Sequence, residues 1–67
     1  MSNKTTFILP DGCELLMEGL LTNLQEGRLI HIDHPEFGEE PRRITEIVIR
    51  CKTCHGRLWQ TMQVFLA

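Results

Sequence analysis

The sequence predicts an α+β fold: a single small domain over residues 1–67, with one helix packed on a mostly antiparallel three- to four-stranded sheet. Three observations carry that expectation. Residues 11–26 place apolar side chains at helical spacing behind a capping pattern. Residues 57–66 alternate with the two-residue period of a strand. Residues 43–51 are rich in Ile and Val, which suit a pleated surface.

The elements follow in order. Thr5 to Leu9 reads as a short strand stopped by Pro10. Asp11 with Glu14 three residues on forms a capping box, in which the Asp accepts a free backbone N–H and the Glu reaches back. Cys13, Leu16, Met17, Leu20, Leu21 and Leu24 then fall on one helical stripe. Glu14, Glu18, Thr22, Gln25 and Glu26 fall opposite, and only Leu15 breaks the pattern. Gly27 suits the position just past a helix end, while Gly19 inside the helix costs about 1 kcal/mol relative to Ala. Arg28 to Asp33 is a second strand, and His34 to Arg42, with two prolines, a glycine and three glutamates, is a loop. The alternation over Arg43 to Cys51 slips near Thr45, which predicts a bulge or a strand buried on both faces. Arg57 to Leu66 sets Leu58, Met62, Val64 and Leu66 on one face, and Trp59, Thr61, Gln63 and Phe65 on the other.

Read as strands instead, residues 11–26 would make the whole chain a small β-barrel. Leu9-Pro10-Asp11-Gly12 and Ile47-Val48-Ile49-Arg50 resemble the pattern of Sm-like and SH3-like barrels. That resemblance implies the alternative fold and, with it, a nucleic-acid-binding module.

Composition narrows the function class. An apolar fraction of 42% and a charged fraction of 24% fit a globular chain rather than a disordered one. A formal net charge of −2 argues against a dedicated DNA binder, whose affinity rests on neutralising phosphates. The N-terminus is polar and no apolar run approaches the ~20 residues of a spanning helix, so neither a signal peptide nor a membrane span is expected. Three cysteines, an odd number, suit a reducing cytoplasm better than a disulfide framework.

The segment Cys51-Lys52-Thr53-Cys54-His55-Gly56 sits between two strand patterns and resembles the zinc knuckle of ribbon-type sites. Two thiolates three positions apart in a tight turn can reach one ion, and the glycine lets the chain fold back. Structural zinc takes four ligands, and His31-Ile32-Asp33-His34 offers a second pair with the same spacing. The expected metal ligands are therefore Cys51, Cys54, His31 and His34, provided the strand ends by Asp33 so that both imidazoles share a side. An inert hairpin turn with reduced thiols ranks ahead of that metal site. Dithiol redox chemistry ranks third, since a reactive Cys-x-x-Cys is favoured at a helix N-terminus. Cys13, in the first turn of the expected helix, is read as a small buried apolar residue rather than an activated thiol.

One helix covers one face of a sheet. Trp59 and Phe65 would then lie on the bare side, with Arg50 and Arg57 near them, and these four form the expected partner-binding set. Arg28, Arg43 and Lys52 join the same cluster of positive charge around the strand ends. A bare apolar face suits a second copy or another protein. With arginines around it, the face could instead stack single-stranded nucleic acid. Net charge favours protein. No nucleophile, phosphate loop or paired-carboxylate signature is present. The sequence therefore points to a small non-catalytic adaptor or regulatory protein, cytoplasmic, binding a protein partner or forming a homodimer, with structural zinc as its expected cofactor.

Overall fold

A computed structural model describes residues 3–38 and 40–67. The chain forms strands β1 (Lys4–Ile8), β2 (Glu14–Glu18), β3 (Leu29–Ile30), β4 (Arg42–Cys54) and β5 (Arg57–Leu66), with one 3₁₀ turn over Pro35–Phe37. They join in one curled mixed sheet in the order β2-β1-β5-β4-β3. The first and last strands run parallel at its centre, Lys4 beside Thr61 and Ile8 beside Phe65. The other neighbours are antiparallel. No ladder among the described residues joins β2 to β3, so the curl stops as a half-barrel.

The expected helix over residues 11–26 is not formed, and the α+β class gives way to a nearly all-β chain. Of the capping pair only the Asp11 acceptor is formed, and it serves another turn. Asp11 Oδ1 accepts the Cys13 N–H at 2.9 Å, while the Leu9 N–H reaches the Cys13 carbonyl at 2.9 Å. An Asp that binds a backbone N–H two residues on builds a tight turn as readily as a helix start. Gly12 follows with φ 93°, and β2 turns back along β1. Gly19 then ends β2 with φ 97°, a left-handed conformation that a right-handed helix cannot contain. The five residues of β2 pair all five of β1, which covers a strand edge that a helix would have left open. The apolar stripe is correspondingly split, with only Leu20 and Leu24 packed against the core. Leu16 and Met17 are 59% and 48% exposed, and Cys13 is exposed rather than packed inside. Neither is the chain a closed Sm- or SH3-like barrel, since the sheet is mixed and open.

The other strands lie near their expected places. β3 keeps only two residues of the Arg28–Asp33 segment. The slip at Thr45 is a bulge, where the register shifts between Ile44 and Glu46. On β5, Met62, Val64 and Leu66 are buried, while Trp59 and Phe65 are half-buried on the other side.

The core lies on the inner, concave face. Phe7, Leu9, Ile44, Met62, Val64 and Leu66 form it together with Phe37 from the 3₁₀ turn. Among the described residues no helix covers this face. The connection from β2 to β4 crosses it instead, with Leu20, Leu24, Ile30 and Ile32 packed against the core. Phe37, in a segment read as plain loop, is 3% exposed and meets Phe7 edge-to-face at 6.3 Å. His34 supports it from 5.8 Å, and its Nδ1 accepts the Glu36 N–H at the start of the turn. Among the described residues one polar side chain is buried, that of Thr5, and it donates to the Gly19 carbonyl at 2.8 Å.

β1 pairs β5 only from Thr61 onward. Cys51–Cys54 and Arg57–Gln60 therefore pair with each other alone and form a two-stranded ribbon beyond the body. The Cα radius of gyration of 12.7 Å exceeds the roughly 11 Å of a compact chain of this length, and the long axis measures 42 Å. The ribbon accounts for the excess.

Candidate functional site

The ribbon turns at His55-Gly56, with φ 52° and 75°. Two successive left-handed residues make the tight two-residue connection that matches the twist of paired strands. The Cys-x-x-Cys segment is thus not the turn. Both cysteines belong to β4, three residues apart, and strand alternation sends them to opposite faces. His31 and His34 lie at the other end of the molecule, just past the Ile30–Arg42 pair. The strand between Arg42 and Cys51 spans about 30 Å at 3.3 Å per residue. The fold therefore does not assemble Cys51, Cys54, His31 and His34 around one ion. Among the described residues, no group of three or more His, Cys, Asp or Glu is placed to hold a metal.

The outer face of the sheet is ordered in rows. Registers place Glu18, Lys4, Thr61 and Arg50 in one row, then Lys52 with Trp59, then Cys54 with Arg57 at the ribbon's end. An open groove of about 860 Å³ runs along these rows, lined by Lys4, Arg50, Lys52, Cys54, Trp59 and Thr61. Cys51, whose side chain belongs to the inner face by alternation, also borders it.

Charge is divided along the molecule. All nine Asp and Glu lie at or before Glu46. The stretch from Ile47 to Ala67 carries Arg50, Lys52 and Arg57 and no acid. The remaining arginines hold backbone or side chains elsewhere. Arg42 donates to the Phe37 and Ala67 carbonyls, Arg43 to the Gly27 carbonyl, and Arg28 to Gln25. Arg28 and Arg43 are thus separated from the ribbon, not clustered with it.

Three of the four expected binding residues come together: Arg50, Trp59 and Arg57. Phe65 does not join them. It lies six residues along β5 from Trp59, about 20 Å at strand spacing, in a row flanked by Glu14 and Glu46. Lys4 and Thr61 enter the site through the topology. Alternation already puts Thr61 on the Trp59 face, but Lys4 reaches it only because β1 runs parallel to β5. Asn3 reinforces the junction, its Oδ1 accepting the Gln60 N–H at 3.2 Å.

Hydrogen bonding and charge from Asp11 raise the Cys13 pKa, and the Cys13 backbone N–H, followed by its thiol, holds the Asp11 carboxyl below the usual carboxylate range. No helix among the described residues is long and apolar enough to cross a membrane. No known protein family, curated protein or solved structure matches this chain.

Proposed function

We propose that this protein acts by binding, and that the outer face of the β4–β5 ribbon grips an acidic surface of a protein partner. The observation that carries the reading is the cationic groove around Trp59. Lys4, Arg50 and Lys52 line it beside one half-buried indole, and Arg57 stands on the same face at the ribbon's end, with no carboxylate nearer along β4 than Glu46. Among the described residues, no hydrogen bond or ion pair within the chain engages these four cations. They are available to a ligand of opposite charge, and an indole among arginines is a common anchor of protein interfaces.

Extent favours protein over a nucleic-acid strand. From Arg50 to Cys54 the cationic rows cover about 13 Å. Glu18 already stands beside Lys4 in the Arg50 row, and past the cationic rows the outer face meets Glu14 and Glu46. A phosphate backbone following the sheet would run into those carboxylates, and a second stacking ring is absent from the groove. A short acidic loop fits inside the patch. Charge also gives such a contact its rate and specificity.

Trp59 is the only tryptophan and reports directly on the groove. Its emission is followed while a Glu- and Asp-rich peptide with one leucine, or a twelve-nucleotide oligothymidine, is added. The peptide is expected to shift the emission saturably, more weakly as salt rises. Arg50→Glu with Lys52→Glu weakens that binding at least tenfold. Tighter, salt-sensitive binding of oligothymidine would replace the protein reading with the nucleic-acid one.

A further inference from the structure

Part of β4 has an open edge. β5 lies along one side of the strand, but β3 lies along the other only at Arg42 and Arg43. Two hydrogen bonds fix which groups the open side presents. The Ile47 N–H points away from β5, to Glu26 Oε2 at 3.1 Å. The Gln60 N–H points away from β4, to Asn3 Oδ1, so Cys51 opposite it also turns its N–H and carbonyl away from β5. By the strand period, Ile49, Cys51 and Thr53 present theirs to the same open side, where nothing takes them up among the described residues. We infer that the acidic partner segment adds to this edge as a β-strand, antiparallel to β4, with acidic and apolar residues in alternation. The inference rests on the outer-face reading and says how the segment is held.

The side chains along the edge name the occupant. Arg50 and Lys52 stand on the outer face, while Ile49, Cys51 and Thr53, all uncharged, stand on the inner one. Ile49 is 53% exposed. An added strand sets each side chain about 4.5–5.5 Å from the one opposite. Acids opposite Arg50 and Lys52 meet both cations, and apolar residues between them cover Ile49 and Cys51. The backbone ladder supplies affinity and the alternation supplies selectivity. A second copy of β4 does not meet these terms. Antiparallel registers centred on Val48 or Ile49 need the Ile47 N–H, which Glu26 holds. Registers centred on Arg50, Cys51 or Lys52 set cation opposite cation, which is destabilising. Glu26 bounds the edge at Ile47 and the His55-Gly56 turn bounds it at the other end, which leaves room for about seven residues, roughly 24 Å.

Amide exchange of the full chain, read by heteronuclear NMR, tests the pairing as a seven-residue peptide alternating valine and glutamate is added. At saturation, exchange at Ile49, Cys51 and Thr53 should slow at least tenfold, while the amides of Arg50 and Lys52, which face β5, change little. A peptide of the same composition with its glutamates in one block should bind at least tenfold more weakly. Methylating the two central valine amides, which face β4, should weaken binding at least tenfold. Methylating two glutamate amides, which face away, should change it less than threefold. Equal, salt-sensitive binding of the alternating and block peptides without slowed exchange would overturn the added strand and leave the cationic groove standing. Binding of neither peptide would overturn both. Protection of the same amides in the protein alone at 1 mM, with the mass rising from 7.8 kDa toward twice that value, would make a second copy the occupant and overturn the acidic one.

Discussion

Replacing Phe37 with alanine removes the ring that closes the inner face of the half-barrel. The side chain is 3% exposed and packs edge-to-face on Phe7. Truncating a buried Phe to Ala costs about 3–5 kcal/mol, from lost transfer energy and the cavity left behind. A 67-residue chain has a total stability of about 3–10 kcal/mol at usual values per residue. Phe37→Ala should therefore remove about a third or more of that stability, and at the low end of the range it leaves the protein past its midpoint of unfolding at 25 °C. Phe37→Leu keeps most of the volume and should cost about 1 kcal/mol. Urea titration followed by Trp59 emission and far-ultraviolet circular dichroism measures both. Leu16→Ala is the control, since that side chain is 59% exposed on the outer face and should change stability by less than about 0.5 kcal/mol. If Phe37→Ala cost no more than Leu16→Ala, the segment over 31–38 would not cover the core, and the packing described for the inner face would be wrong.

Other perturbations probe single links. Thr5→Val removes the 2.8 Å hydrogen bond from the buried Thr5 hydroxyl to the carbonyl of exposed Gly19 and should cost about 0.5–1.5 kcal/mol by the same titration. Gly56→Ala forces a Cβ onto a residue at φ 75°, where nothing lies within 4 Å, so the cost of about 1 kcal/mol is backbone strain alone. Hydrogen exchange should quicken at Cys51–Gln60 and stay unchanged in β1. The Asp11 carboxyl titrates below its unfolded value, so its contribution is complete above about pH 4 and lost as pH falls through the folded pKa. Asp11→Asn keeps the acceptor for the Cys13 N–H but not the charge. The stability gap between the two proteins should narrow from pH 6 to pH 2, and a constant gap would refute the assignment.

Strands with a clear two-residue period were legible in the sequence. β5 runs over the residues its alternation marked, and the slip at Thr45 is the bulge that lets β4 curl. Residues 11–26 were not legible, because Asp11-Gly12 serves a hairpin as well as a helix cap. Their apolar side chains also come in consecutive sets, Leu15 to Met17 and Leu20 with Leu21, that satisfy both periods. Gly19 was the residue that discriminated: tolerable in a helix, it is required by the left-handed turn that ends β2. The site divides the same way. Arg50, Trp59 and Arg57 follow from strand parity and hairpin pairing, which are local. Lys4 depends on the parallel β1–β5 pair, a contact between the chain's two ends that no local pattern encodes. The His and Cys pairs had a suitable sequence spacing, but β4 runs extended between them and holds them apart.

Charge reversal placed on one part of the molecule at a time bears most directly on the cationic groove as the binding surface. Arg50→Glu with Lys52→Glu alters the groove, whereas Glu14→Lys with Glu46→Lys alters the acidic row two rows along from Lys4 and Arg50 on the same face. Both sets are exposed, so both proteins should fold with similar thermal transitions. The first pair should weaken the acidic peptide's effect on Trp59 emission at least tenfold, and the second should leave it unchanged or strengthen it. Equal affinity for the acidic peptide in the wild type and the Arg50→Glu, Lys52→Glu protein would contradict the assignment.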